Sequence, residues 1–270
     1  MTPLEQFIHQ ARQLFVLTGA GCSTAAGIPD YRDEGGQWKR AQPMTYQHFT
    51  ASSAARRRYW ARSLVGWPIV DSAVPGTSHR ALARLQTDGP VHYLLTQNVD
   101  GLHRKAGSPQ VQELHGRLDT IICLQCGERT QRRLFQQRMA GLNPAWADRR
   151  ALVAPDGDAD IDETDFSDFI IPDCERCGGV LKPDVVYFGE AVPRDRVQEA
   201  MLALERADAM LIVGSSMMVF SGFRFARRAH ELGLPIASLT LGKGRADPYL
   251  TLKIDAPCED GLRFALGEPA

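Results

Sequence analysis

Two hydrophobic periods alternate along this chain, and they assign its elements. Leu4, Phe7, Ile8 and Ala11 recur at helical spacing behind Thr2-Pro3-Leu4-Glu5, a capping-box pattern with proline at the first helical position, so a short amphipathic helix opens the chain. Leu14 to Thr18 is a compact, partly β-branched apolar run that empties into Gly19-Ala20-Gly21, the pattern of a buried strand and a tight turn. Further strand-like runs stand at Val91–Leu95, Val111–Leu114, Met210–Val213 and Ile236–Leu241. Helical patterns at Ser78–Leu85, Arg194–Ala207 and Phe223–Leu232 lie between them. Strands alternating with helices predict an α/β fold with a mostly parallel, doubly wound sheet.

Two stretches break the rhythm. Tyr31 to Pro75 is rich in arginine and aromatic residues without a clean strand period, and Asp119 to Val180 is bracketed by paired cysteines. Both read as insertions that build a smaller domain from 31–75 and 119–180, leaving 1–30, 76–118 and 181–270 for the larger one. The acidic run Asp156-Gly157-Asp158-Ala159-Asp160-Ile161-Asp162-Glu163 resembles a calcium loop, but the sixth and twelfth positions carry Ile161 and Ser167 where glycine and glutamate are needed. It reads as a solvated acidic loop.

Composition narrows the class. With 270 residues, 44% hydrophobic and 23% charged, the chain has the makeup of a globular protein able to bury its own core. The 31 basic and 32 acidic residues leave a net charge of -1, which disfavours a dedicated nucleic-acid or membrane partner. The N-terminus lacks secretory or transit-peptide order, so a cytoplasmic home is expected. The oligomeric state stays open, and a monomer is compatible with the sequence.

Several positions carry candidate chemistry. Cys123/Cys126 and Cys174/Cys177 form two C-x-x-C knuckles, four soft ligands that suit a closed, structural tetrahedral zinc. A nucleic-acid zinc ribbon is disfavoured by the 47 residues between the knuckles and their acidic content. Gly19-Ala20-Gly21-Cys22-Ser23 offers a turn for a pyrophosphate, although a glycine turn can also be purely structural. Cys22 there reads as a small packed side chain or as a thiol of lowered pKa. Thr96-Gln97-Asn98-Val99-Asp100-Gly101-Leu102-His103 places amides and a carboxylate at a strand end, where ligands of doubly wound folds bind. Leu114-His115-Gly116 sets an imidazole at a second strand end, while His9, His79 and His230 read as helix residues.

These segments, with Gly27-Ile28-Pro29-Asp30-Tyr31-Arg32, Leu181-Lys182-Pro183-Asp184-Val185-Val186-Tyr187-Phe188-Gly189-Glu190 and Gly214-Ser215-Ser216, resemble the ordered motifs of the sirtuin family over nearly the whole chain. Arg58-Tyr59-Trp60-Ala61-Arg62, Val65-Gly66-Trp67-Pro68 and Ala154-Pro155-Asp156-Gly157-Asp158 resemble its class II branch, whose best-known member is mitochondrial sirtuin four. The resemblance implies a Rossmann-like domain with a smaller zinc-binding and helical domain inserted, and an NAD-consuming protein-lysine deacylase. In sirtuins the acyl-lysine amide oxygen displaces nicotinamide to give an alkylimidate; a histidine then deprotonates the ribose hydroxyl that attacks it, and O-acyl-ADP-ribose leaves.

By that resemblance His115 is the general base, and Asn98 and Asp100, joined by Gln97, orient the nicotinamide ribose and carboxamide beside Val99. Asp30, Tyr31 and Arg32 lie on the loop that closes over NAD. Gly19, Ala20, Gly21 and Ser23 with Gly214, Ser215 and Ser216 cradle phosphates and ribose, Thr240 meets the adenosine ribose, Gly242 joins the NAD contacts, and Cys258 meets the adenine. Val185, Phe188, Gly189, Glu190 and Val219 clamp the acyl-lysine substrate as an added strand. Three positions depart from the usual family pattern: Thr240 stands where asparagine is common, Val219-Phe220-Ser221-Gly222 lacks the usual proline, and Tyr31 replaces phenylalanine. Tyr59 and Arg62, three apart, match the spacing with which some sirtuins bind acidic acyl chains, which implies a preference for acidic acyl groups; otherwise Arg62 belongs to a solvated arginine-rich helix. Mono-ADP-ribosyl transfer in the same cleft and a non-catalytic NAD-sensing module are the competing functions.

Overall fold

In the computed structural model, strands β1 (Leu14–Thr18), β2 (Val91–Thr96), β3 (Val111–Glu113), β4 (Gly116–Cys123), β5 (Arg129–Gln131), β6 (Leu152–Val153), β7 (Ala159–Asp160), β8 (Leu181–Val185), β9 (Ala209–Val213), β10 (Ile236–Leu239) and β11 (Leu252–Ile254) form three sheets. The structure describes residues 1–31, 33, 35, 37–39, 43–147, 149, 152–153, 159–161 and 165–267. The main sheet runs in the order β11-β10-β9-β1-β2-β3, and every pairing in it is parallel. The chain leaves β1 for β2 and β3 on one side, then returns to β9, β10 and β11 on the other, which opens a crevice beyond the C-terminal ends of β1 and β9.

The helices are α1 (Pro3–Gln10), α2 (Tyr46–Ala51), α3 (Ser53–Ser72), α4 (Thr77–Thr87), α5 (Leu102–Lys105), α6 (Arg132–Leu142), α7 (Pro144–Ala147), α8 (Arg194–Leu204), α9 (Phe220–Glu231) and α10 (Cys258–Leu262). Helix α1 begins with the expected reciprocal cap: Thr2 Oγ1 accepts the Glu5 amide at 3.2 Å, and Glu5 accepts the Thr2 amide at 3.1 Å. Alternation along the strands sends successive side chains to opposite faces. Leu14, Val16, Leu211 and Val213 join α1, α4 and α10 in one core, whereas Phe15, Leu17, Met210 and Ile212 join α8 and α9 in another. A sheet covered on both faces explains why these strands read as continuous apolar runs.

A third core belongs to the smaller unit, where Tyr59, Trp60, Leu64 and Trp67 of α3 pack on Ile121, Phe135, Met139 and Leu181. Antiparallel β5-β4-β8 forms its sheet. Strand β8 pairs with β4, and Leu181 and Val185 pack in this third core. Helix α3, 20 residues long, lies inside the segment that gave no clean period because half of it is buried on several sides, so no polar stripe marks it. No helix among the described residues is long and apolar enough to cross a membrane.

Candidate active site

The crevice is a cleft of about 860 Å³ between the two units. Its wall includes Gly19, Ala20, Gly21, Ser23, Asp30, Tyr31, Gln97, Asn98, Val99, Asp100 and His115. It continues through Gly214, Ser215, Ser216, Thr240 and Cys258. Elsewhere along the wall it gathers Tyr59, Val185, Phe188, Gly189, Glu190 and Val219. Arg62 and Gly242 are not among these lining residues, and Arg32 and the 154–158 segment lie outside the described residues.

The Gly19 turn and the Gly214 turn interlock. Gly19 donates its amide to Val213 O at 3.0 Å and Gly21 to Gly214 O at 2.9 Å, so both amides are engaged by the protein itself. A Cβ on Gly19 would stand 2.7 Å from Ser215 Cβ, and one on Gly214, whose φ is 62°, would overlap the Cys22 amide. These glycines are required by the mutual approach of two turns. Two short 3-10 turns, Ala20–Cys22 and Thr24–Ala26, follow in place of the long helix N-terminus that a pyrophosphate turn implies.

Behind the turn, Ser23 is the centre of a buried polar network. Its hydroxyl donates to Asp100 Oδ2 at 2.7 Å and accepts from Asn98 Nδ2 at 3.0 Å; Asn98 also donates to Gly19 O at 3.0 Å. His79, fully buried, accepts the Gly76 amide on Nδ1, so its Nε2 carries the proton and faces Ser23 at 3.3 Å. Burial lowers the His79 pKa to about 4 against the opposing pull of Asp100. Cys22, His79 and His103 also place possible ligand atoms within 4.8 Å of one another, but the engaged Nδ1 of His79 leaves no lone pair on its inward nitrogen for a metal. Burial, the neighbouring Cys258 and nearby acids raise the Cys22 thiol well above its usual range, as befits a packed side chain.

His115 sits where the two sheets meet. Leu114 donates to Thr96 O at 2.8 Å in the parallel sheet, and His115 O accepts the Val186 amide at 2.7 Å from the other side. Its Nδ1 lies 2.9 Å from Gln97 O and its Nε2 lies 2.8 Å from Ser221 Oγ. A carbonyl only accepts, so Nδ1 bears the proton and Nε2 the lone pair. Burial lowers its pKa to about 4, the Gln97 carbonyl pulls the other way, and Arg196 and Arg224 add to the lowering, so the imidazole is neutral at pH 7.

The wall around Phe188 is braced from two directions. Tyr46 donates its amide to Phe188 O at 3.0 Å, Gln47 donates to Gly189 O at 3.0 Å, and Tyr31, Trp38 and Phe188 meet edge-on. Met217 holds a left-handed backbone, φ 56°, at the cleft, an uncommon conformation for a side-chain-bearing residue. Met217 carries no sequence signal of its own. Ser221 was marked only by the missing proline, and His79 only by its helix.

The four cysteines converge as their spacing predicts. Cys123 Sγ lies 3.5 Å from Cys177 Sγ and Cys126 Sγ lies 3.8 Å from Cys174 Sγ, with all four sulfurs within 4.8 Å of one another. Zinc–sulfur bonds of about 2.3 Å in a tetrahedron need edges of about 3.8 Å, so the set fits zinc. Both knuckles close by backbone bonds, Gly127 to Cys123 O at 3.0 Å and Gly178 to Cys174 O at 2.8 Å.

The Sir2 family profile matches residues 19–221. The chain belongs to the Sir2 family. Among Sir2-family relatives, an NAD-dependent protein deacetylase of Xanthomonas campestris pv. campestris is 54% identical over 266 residues, covering 98% of this chain and 91% of that protein. The NAD-dependent protein lipoamidase sirtuin-4, mitochondrial, of Bos taurus is 46% identical over 262 residues, covering 96% of this chain and 83% of that protein. A solved structure of Sir2 with a p53 peptide and NAD+ superposes with a TM-score of 0.80 at 26% identity, covering 99% of this chain and 97% of that one.

Proposed function

We propose that this Sir2-family chain is an NAD-dependent protein-lysine deacylase that moves the acyl group of a modified lysine to ADP-ribose and releases nicotinamide. The observation that carries the reading is His115: a neutral imidazole in the cleft wall whose lone pair is assigned to Nε2 by the Gln97 carbonyl. NAD enters as a substrate. Asn98, Ser23 and Asp100 form a pre-bonded polar floor for its ribose and carboxamide, and the Phe188–Glu190 edge offers main-chain pairing to an extended peptide. Zinc, held by Cys123, Cys126, Cys174 and Cys177, closes the smaller unit and leaves no ligand position for chemistry.

The charge of the wall points to the acyl group. Asp30 pairs with Lys39 at 2.5 Å and Glu190 with Lys182 at 3.1 Å, whereas Arg194 and Arg224 line the cleft with no ion pair among the described residues. Uncompensated cations favour an acyl chain that ends in a carboxylate. Tyr59, buried in the wall against Tyr187 and Phe49, shapes that pocket, while Arg62 is set apart from it. The test incubates the zinc-loaded protein with NAD and acetyl-, lipoyl-, succinyl-, glutaryl- and methylglutaryl-lysine peptides, following nicotinamide and acyl-ADP-ribose by mass. Release of both with an acyl peptide supports the reading; nicotinamide release that leaves ADP-ribose on a protein side chain would replace it with mono-ADP-ribosyl transfer.

A further inference from the structure

The nitrogen that must take a proton in this reading is already occupied. Because Nδ1 of His115 donates to Gln97 O, Nε2 can only accept, and the group it accepts from is the Ser221 hydroxyl at 2.8 Å. The imidazole therefore offers no second lone pair to a ribose hydroxyl. Ser221 Oγ, by contrast, keeps its own lone pairs, and both Ser221 and His115 belong to the cleft wall.

Ser221 is brought to this spot by a close approach. It is the second residue of α9, and the next residue, Gly222, lies so near Gln97 that a Cβ would overlap the Gln97 side-chain amide. The residue whose carbonyl orients His115 thus also sets where α9 begins. The α9 N-cap, Val219, makes no side-chain capping bond, and among the described residues the Ser221 hydroxyl bonds to His115 alone. The arrangement joins Gln97, His115, Ser221 and Gly222 into one unit aimed at the cleft.

We propose that Ser221 is a catalytic relay: the ribose hydroxyl gives its proton to Ser221 Oγ while the Ser221 proton passes to His115 Nε2. The inference rests on the deacylase reading above. In the same step the ribose oxygen forms a bond to the acyl carbon, and the C=N electron pair of the positively charged imidate moves onto nitrogen. One O–H bond is broken and remade at Ser221, one N–H bond forms at His115, and the positive charge passes from the imidate to the imidazole. Nothing is oxidised or reduced. Nicotinamide departs before this step and needs neither residue.

That order supplies the test. Wild type, Ser221→Ala and Ser221→Thr are compared for single-turnover acyl-ADP-ribose formation and for exchange of labelled nicotinamide into NAD, each with the best acyl peptide. The relay requires Ser221→Ala to slow product formation by about 10² while exchange stays within about twofold, and Ser221→Thr, which keeps the hydroxyl, to restore most of the rate. Product formation by Ser221→Ala at or above the wild-type rate would overturn it, since His115 then takes the proton directly and the serine only covers the resting base. Equal loss of exchange and product would also overturn it, by placing Ser221 in binding or folding. A wild type without acyl-dependent nicotinamide exchange would refute the deacylase reading itself, and the relay with it.

Discussion

Lys182, only 3% exposed, holds Glu190 at 3.1 Å across the turn that presents Phe188 and Gly189 to the cleft. Its ammonium also donates to Val185 O and lies over the Tyr187 ring, while Glu190 accepts the Tyr187 amide at 2.9 Å. Burial lowers the Lys182 pKa and Glu190 counters it, so the pair stabilises the turn only as a pair. Lys182→Met leaves Glu190 without its cation. The expected outcome is a peptide KM raised about tenfold with the KM for NAD unchanged, and a Tm lowered on the order of 10 °C. Steady-state kinetics with each substrate varied in turn, beside a melting curve, check it.

Acid should unfold this protein early. His79 and His115 are each held near a pKa of about 4, and burial together with His79 keeps His103 well below its usual value. All three take up protons on unfolding, so their contribution is complete above about pH 6.5; for His79 and His115 it is lost as pH falls from there through about 4, at about 1.4 kcal/mol per pH unit for each, and His103 adds to the loss in the same direction. Denaturant melts at pH 7, 6 and 5 measure the slope. A flat profile across that window would contradict the neutral assignments.

Metal removal is expected to act locally first. Cys123 and Cys174 are part of the smaller unit's apolar core, so losing zinc unties both knuckles from it and lets the freed thiolates take up protons. A strong chelator or Cys177→Ser should abolish peptide turnover and expose Trp60, Trp67 and Trp146 to quenching. NAD-induced protection of the parallel sheet in hydrogen exchange should outlast that loss.

Acyl preference separates two arginines. Arg224 lines the cleft with a buried Nε that has no hydrogen-bond partner among the described residues, whereas Arg62 is not part of the wall. Arg224→Met should lower the glutaryl-to-acetyl ratio of kcat/KM by about tenfold. Arg62→Met should leave that ratio unchanged. The reverse pattern would return the acidic-chain role to the Tyr59/Arg62 pair.

The parallel sheet was legible because two-faced burial writes uninterrupted apolar runs, and β1 is found at Leu14–Thr18 as read. Strand β11 escaped notice because Leu252-Lys253-Ile254 is short and half-buried at the sheet edge. Helix α3 was hidden for the opposite reason, since too much of it is buried to leave a stripe. In the site, motif order singled out His115, Asn98, Asp100 and the cysteines; the first three line the cleft and the four sulfurs converge. What the order could not convey is which lone pairs are already taken. The engaged amides of Gly19 and Gly21, the tautomers of His79 and His115, and the reach of Ser221 all depend on contacts between residues far apart in the chain.

His115 receives the Val186 amide on its backbone and gives its ring proton to Gln97, so one residue is pinned to both units at once. The imidazole is therefore a gauge of the angle between them. The ring's orientation is thus set by a bond that spans the seam between the parallel and the antiparallel sheet, rather than by either sheet alone.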